Sequence, residues 1–187
     1  MEMSGEQMIA APLQRVWAAL NDPAVLRRSI DGCESFEKTS DDSFDVRVTA
    51  RFGPVKAGFS GAVTLADVDP PNGYTLLGEG TGAGAGFAKG QAQVRLIGVG
   101  GFTRLSYVVR ADVGGKLAQI GARLIDQTAR RQADSFFARF AEIVAEGGAA
   151  PAAQATAGWA RGPSWLWAGI MIAAALAVGF LAGRAWG

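Results

Sequence analysis

Between residues 44 and 111 apolar side chains recur at every second position, a period that suits one-sided β-strands and excludes helix. Phe44, Val46, Val48, Ala50 and Phe52 alternate with Asp45, Arg47, Thr49 and Arg51. After Gly53-Pro54 come Val55, Ala57, Phe59, Gly61, Val63 and Leu65; after Pro70-Pro71-Asn72-Gly73 come Tyr74, Leu76, Gly78 and Gly80. Ala88, Gly90, Ala92, Val94 and Leu96 form the next row. Beyond Gly100-Gly101, Leu105, Tyr107, Val109 and Ala111 form the last. Alternating strands joined by short turns predict an antiparallel meander with one buried face.

That face needs a cover. From about Lys116 to Glu146 there is no proline, and the stretch is read as one long helix. Ile125, Ala129, Ala133, Phe136, Phe140, Ile143 and Val144 make an apolar stripe suited to lying across the sheet. Leu117, Ile120 and Leu124 make a second stripe, rotated by roughly a quarter to a third of a turn at 3.6 residues per turn. Ahead of the meander, a strand and two short helices are expected. Pro12 and Pro23 stand at first helical positions and Asp22 serves as a cap. The fold class is therefore α+β, a curved antiparallel sheet wrapped around a long C-terminal helix.

The C-terminal end has a different chemistry. From Gly162 to Gly183 no residue is charged, and residues 164–183 are apolar on every face. About 20 such residues span a ~30 Å hydrocarbon layer as a helix. Trp165 and Trp167 at one boundary, Trp186 at the other, and the bracketing Arg161 and Arg184 suit membrane interfaces. Leu166, Ile170, Leu176 and Phe180 would meet lipid. The expected organisation is a domain at 1–146, a Gly/Ala/Pro linker at 147–163, one transmembrane helix at 164–183 and a short tail at 184–187. The linker reaches on the order of 20–25 Å root-mean-square, from ~5–6 Å times the square root of its length. The N-terminus shows no basic-then-apolar leader, so the domain is expected on the cytoplasmic side of the membrane.

Much chemistry is excluded. The chain has no histidine and one cysteine, Cys33, so no Ser/His/Asp or Cys/His set and no zinc site can be assembled. Neither a catalytic nor a metal-binding residue is assigned. A net charge of +1, with Lys and Arg dispersed, argues against nucleic acid. The glycines from Gly78 to Gly90 alternate strictly and do not give a phosphate-binding spacing.

The inward positions Gly78, Gly80, Ala88, Gly90 and Ala92 are unusually small. Two explanations stand: the helix approaches the sheet backbone closely there, or space is left open. Open space would be an apolar pocket bordered by Phe59, Leu65, Tyr107 and the Leu117/Ile120/Leu124 stripe. Tyr74 and Tyr107 would supply polar groups, unless their hydroxyls simply reach the surface.

Several segments resemble the G subunit of aerobic, molybdenum-containing carbon monoxide dehydrogenase. They are Met3-Ser4-Gly5-Glu6, Ala11-Pro12, Val16-Trp17-Ala18-Ala19-Leu20-Asn21-Asp22-Pro23, Gly32-Cys33-Glu34-Ser35, Gly53-Pro54-Val55-Lys56-Ala57, and Gly121 to Ile125 continuing to Phe136-Phe137. Asp31 stands where that family usually has proline. The resemblance implies the helix-grip fold of the START-like (SRPBCC) superfamily. It also implies a non-catalytic adaptor that places a soluble molybdenum hydroxylase at the cytoplasmic membrane. Taken with the small interior row and the span, it suggests a quinone or lipid as pocket ligand. Two other functions remain: a membrane-tethered transfer protein for lipids without an enzyme partner, and an enzyme such as a cyclase, which the missing histidine disfavours.

Overall fold

The computed structural model describes residues 1–52 and 55–146. The linker, the membrane-anchor residues Trp165, Leu166, Trp167, Ile170, Leu176 and Phe180, the tail and the Gly53-Pro54 turn lie outside the described residues. Seven strands form one antiparallel sheet: β1 (Glu2–Ile9), β2 (Cys33–Lys38), β3 (Ser43–Phe52), β4 (Val55–Asp69), β5 (Gly73–Gly82), β6 (Gly86–Val99) and β7 (Phe102–Gly114). Their order is β1-β7-β6-β5-β4-β3-β2. The meander from β2 to β7 follows the alternation in the sequence, and β1 closes its far side by pairing with β7 from Glu2↔Arg110 to Ile9↔Thr103.

Register turns the alternation into rows across the inner face. Leu65, Leu76, Ala92, Val109 and Met3 stand side by side, as do Tyr74, Val94, Tyr107 and Gly5. Next to the first of these comes Phe44, Val63, Gly78, Gly90 and Ala111, then Val46, Gly61, Gly80 and Ala88. The sheet is therefore bulky at one end and nearly bare of side chains in the middle.

Helices α1 (Leu13–Leu20) and α2 (Pro23–Ser29) close the bulky end. Val16, Leu20 and Leu26 are buried, and the Asp22 carboxylate accepts from Ala24 N at 2.8 Å, capping α2. Thr103, fully buried on β7, donates its hydroxyl to the Ala11 carbonyl at 2.8 Å and fixes the entry to α1.

The C-terminal helical stretch is broken, contrary to the expectation of one helix from Lys116. A short α3 (Lys116–Gln119) precedes α4 (Ala122–Glu146). Gly121 between them has φ +94°, a conformation that glycine tolerates and that an uninterrupted helix cannot contain. The rotation between the two apolar stripes is the trace of this break. Along α4 the buried residues are Ile125, Ala129, Ala133, Phe136, Phe137, Phe140 and Val144. Phe136 packs against Phe137 and Phe140, with ring centroids 5.0 and 5.3 Å apart. The last turn of α4 is tied to α1, where the Arg15 guanidinium donates to the Val144 carbonyl.

Candidate ligand site in the interior

The site begins with four residues that have no side chain. Gly61 and Gly80 are neighbours in one row, Gly78 and Gly90 in the next. The helix that crosses the sheet is small as well, presenting Ala129 and Ala133 between Ile125 and the Phe136/Phe137/Phe140 group. Close packing of small on small would bring α4 onto the central strands. Its backbone comes nearest to β1 and β3, on the two sides of the sheet.

The buried apolar residues divide accordingly into two clusters. The larger holds α1, α2, most of α4 and the bulky rows. The smaller contains Ala50, Phe59, Ala88 and Leu117, with Ala57, Ala85, Val113 and Ile120 packed against it. Gly78 and Gly90 share a row with Phe44, Val63 and Ala111 of the larger cluster, and Gly61 and Gly80 link Val46 of the larger to Ala88 of the smaller. Leu117 is held there by its N–H, which donates to the Ala85 carbonyl at 2.6 Å in the β5–β6 turn.

The predicted pocket residues therefore fall into groups. Phe59, Leu117 and Ile120 share the smaller cluster, and Gly90 lies in the bare zone. Leu65 and Ala92 pack in the adjacent bulky row of the larger cluster. Tyr74 and Tyr107 lie four residues along their strands from Gly78 and Ala111, about 13 Å at ~3.3 Å per residue. Tyr74 packs on Trp17 of α1, centroids 5.9 Å apart, and burial pushes its hydroxyl pKa up. Tyr107 stacks on Phe137 at 5.4 Å and 22°. Its hydroxyl overlies Gly5 at the seam between β1 and α4; burial raises its pKa, Asp134 raises it further and Arg130 opposes. Leu124, half-buried, borders an outer cleft with Arg51, Lys56 and Arg131.

Gly61, Ala129 and Ala133 are part of the site although sequence reasoning does not single them out. The signal that could have found them is alanine at i and i+4 on the buried stripe of a helix that must cross a glycine row.

Chemically the interior offers shape and little else. Among the described residues no charged side chain is buried, and no group of His, Cys, Asp or Glu is placed to hold a metal ion. A recess of about 920 Å³ lies on the outer face of the sheet, bordered by Glu2, Glu79, Lys89, Gln91, Arg110 and Asp112. These charges face one another across strands, Glu79 opposite Lys89 and Lys89 opposite Asp112, with Arg110 and Glu2 3.5 Å apart. Met1, Ala62, Leu77 and Ala111, with the backbone of Gly78 and Gly90, complete its lining, so charged and apolar groups share it.

Comparison with known proteins places the chain. A conserved protein of Geobacillus kaustophilus is 28% identical, with TM-score 0.75, over 79% of this chain and 97% of its own. A Thermus thermophilus protein (16% identity, TM-score 0.61, 80% and 100% covered) shares the fold. So does the Zhui aromatase/cyclase of a Streptomyces species (13% identity, TM-score 0.59, 80% and 96% covered). No curated protein matches the chain. Residues 5–145 match the family described as the G subunit of carbon monoxide dehydrogenase, CoxG. With a helix-grip sheet, a covering C-terminal helix and that match over nearly the whole folded domain, the chain belongs to the CoxG family of carbon monoxide dehydrogenase subunits.

Proposed function

We propose that this protein is a non-catalytic adaptor that brings a soluble molybdenum hydroxylase of the carbon monoxide dehydrogenase type to the cytoplasmic membrane and carries a quinone in its interior, with Leu117 and Ile120 at the mouth. The observation that supports the ligand part is the pair of inward rows without side chains, Gly61 and Gly80 beside Gly78 and Gly90, under a helix whose buried stripe carries Ala129 and Ala133. Family membership supports the enzyme partner, and the uncharged segment 164–183 supports the membrane. The apolar interior of the described residues suits a hydrophobic ligand.

Ligand and partner are tested together. Full-length protein is purified from membranes in mild detergent, its bound lipids are extracted, and co-purifying proteins are identified by mass spectrometry. Quinone in the extract and a molybdopterin-binding subunit in the pull-down are expected. Gly90→Leu should abolish the quinone and leave the hydroxylase bound. Wild-type protein devoid of quinone and unable to bind it on titration would remove the carrier role and leave a tether.

One observation favours a second reading, a membrane-tethered lipid-transfer protein without an enzyme partner. Among the described residues no charged side chain is buried as a whole to select a quinone headgroup over other lipids. Phospholipid in the extract with no hydroxylase in the pull-down would decide for it.

A further inference from the structure

On the outer face of the sheet, exposed apolar side chains gather around the β6–β7 hairpin. Ile97, Val99 and Phe102 are 55, 40 and 49% exposed, and Met8 on β1 is 54% exposed. Register brings them together: Met8 is opposite Arg104, Arg104 opposite Ile97, and Val99 opposite Phe102 at the Gly100-Gly101 turn. Their neighbours Ile9, Leu96, Thr103 and Leu105 are buried inward, so all four share the outer face.

The location of this patch matters more than its size. Gly98, at the hairpin tip, lies against Leu13 of α1, where an added Cβ would be 3.6 Å from the Leu13 Cβ. Two residues further, Arg15 holds the Val144 carbonyl in the last turn of α4. Patch and chain exit therefore lie at one end of the domain, on either side of α1. Residues 147–163 follow, then the apolar segment 164–183. Arg104, 3.8 Å from Glu6, and Arg95, opposite Ser106, border the patch with cationic heads on long stems.

We propose that this patch is the face on which the domain rests against the lipid bilayer, Met8, Ile97, Val99 and Phe102 entering the headgroup layer. The proposal rests on reading 164–183 as a membrane span and is independent of what the interior carries. A short tether gives an effective concentration on the order of millimolar, so a weak apolar contact is enough to hold a pose. A bilayer is favoured over a protein occupant because the chain leaves the domain beside the patch.

The test uses full-length protein in vesicles of phosphatidylethanolamine and phosphatidylglycerol. In a Cys33→Ser background, Val99→Cys, Phe102→Cys and the distant control Thr81→Cys carry an environment-sensitive fluorophore. Nitroxide attached to lipid should quench positions 99 and 102 several-fold more than 81, and aqueous iodide should show the reverse order. Ile97→Glu, with the label at 99 and unchanged circular dichroism, should abolish the lipid quenching while the protein stays anchored. Equal iodide access at all three positions without lipid quenching would overturn the proposal. So would iodide protection that appears only when the hydroxylase is added, which would assign the patch to a protein partner. Carbonate extraction reads the span separately: protein that washes off overturns the anchor and the patch together.

Discussion

Tyr107 occupies the space that a side chain at residue 5 would need. A Cβ on Gly5 would overlap the tyrosine oxygen, so the paired residues Gly5 and Tyr107 work as one unit that seals β1 against α4. Gly5→Val should expel the ring from Phe137 and destabilise the protein by about 1–3 kcal/mol, read by urea denaturation. Tyr74 gives a pH dependence with a definite sign. Burial raises its pKa in the folded chain, whereas the unfolded chain ionises near pH ~10. The unfolded state then releases its proton first as pH rises. Stability is fully present below about pH 10 and falls above it. Tyr74→Phe should flatten that alkaline loss in denaturation curves measured from neutral pH upwards. Cys33 is half-buried; desolvation raises its pKa above the ordinary thiol value and Arg27 partly opposes. Its alkylation by iodoacetamide at neutral pH should be slower than that of a free thiol.

At the scale of elements, the α3–α4 break shows what a linear pattern can and cannot reveal. Gly121→Ala forces a Cβ into a positive-φ position and should cost about 1–2 kcal/mol in the same denaturation assay. Strands were legible because inward apolar positions recur at every second residue along most of β3 to β7, although β4 is interrupted by a bulge at Ala66–Asp69 and outward positions such as Leu77, Ile97 and Val108 are apolar as well. Helix α4 was legible from its stripe. The break at Gly121 was not, since Leu117 and Ile120 continue a helical spacing although they lie on a separate turn that serves the smaller cluster. The candidate site was legible only as a set of small inward residues. Tyr74 and Phe59 both point inward on adjacent strands. That they end at different parts of the sheet, one against Trp17 and one beside Leu117, depends on register, and alternation carries no register.

At the scale of the whole molecule, the span reading makes a direct prediction. Ile170→Arg places a charge at mid-bilayer, a cost of at least ~2.5–3.5 kcal/mol, and should move the protein out of the membrane fraction. Helix α4 adds a constraint of distance. Its 25 residues, at ~1.5 Å each, set about 37 Å between the α3 end, proposed as the entrance, and the end where the chain leaves. A domain resting on its exit end holds that entrance away from lipid and towards the solution where a soluble enzyme would meet it. Loading from the bilayer then requires the domain to turn over on its tether. Residues 147–163, drawn out at ~3.3–3.6 Å each, reach about 56–61 Å, enough for the turn. Deleting residues 149–156 leaves a reach of about 30–32 Å, less than the helix it must pass. The shortened protein should stay anchored and bind its hydroxylase yet carry little quinone on extraction, and normal quinone content in it would exclude the turnover. In this arrangement tether length acts as a ferry rope: it sets which shore the cargo door can touch, and a rope too short leaves the boat moored with its door to the wrong side.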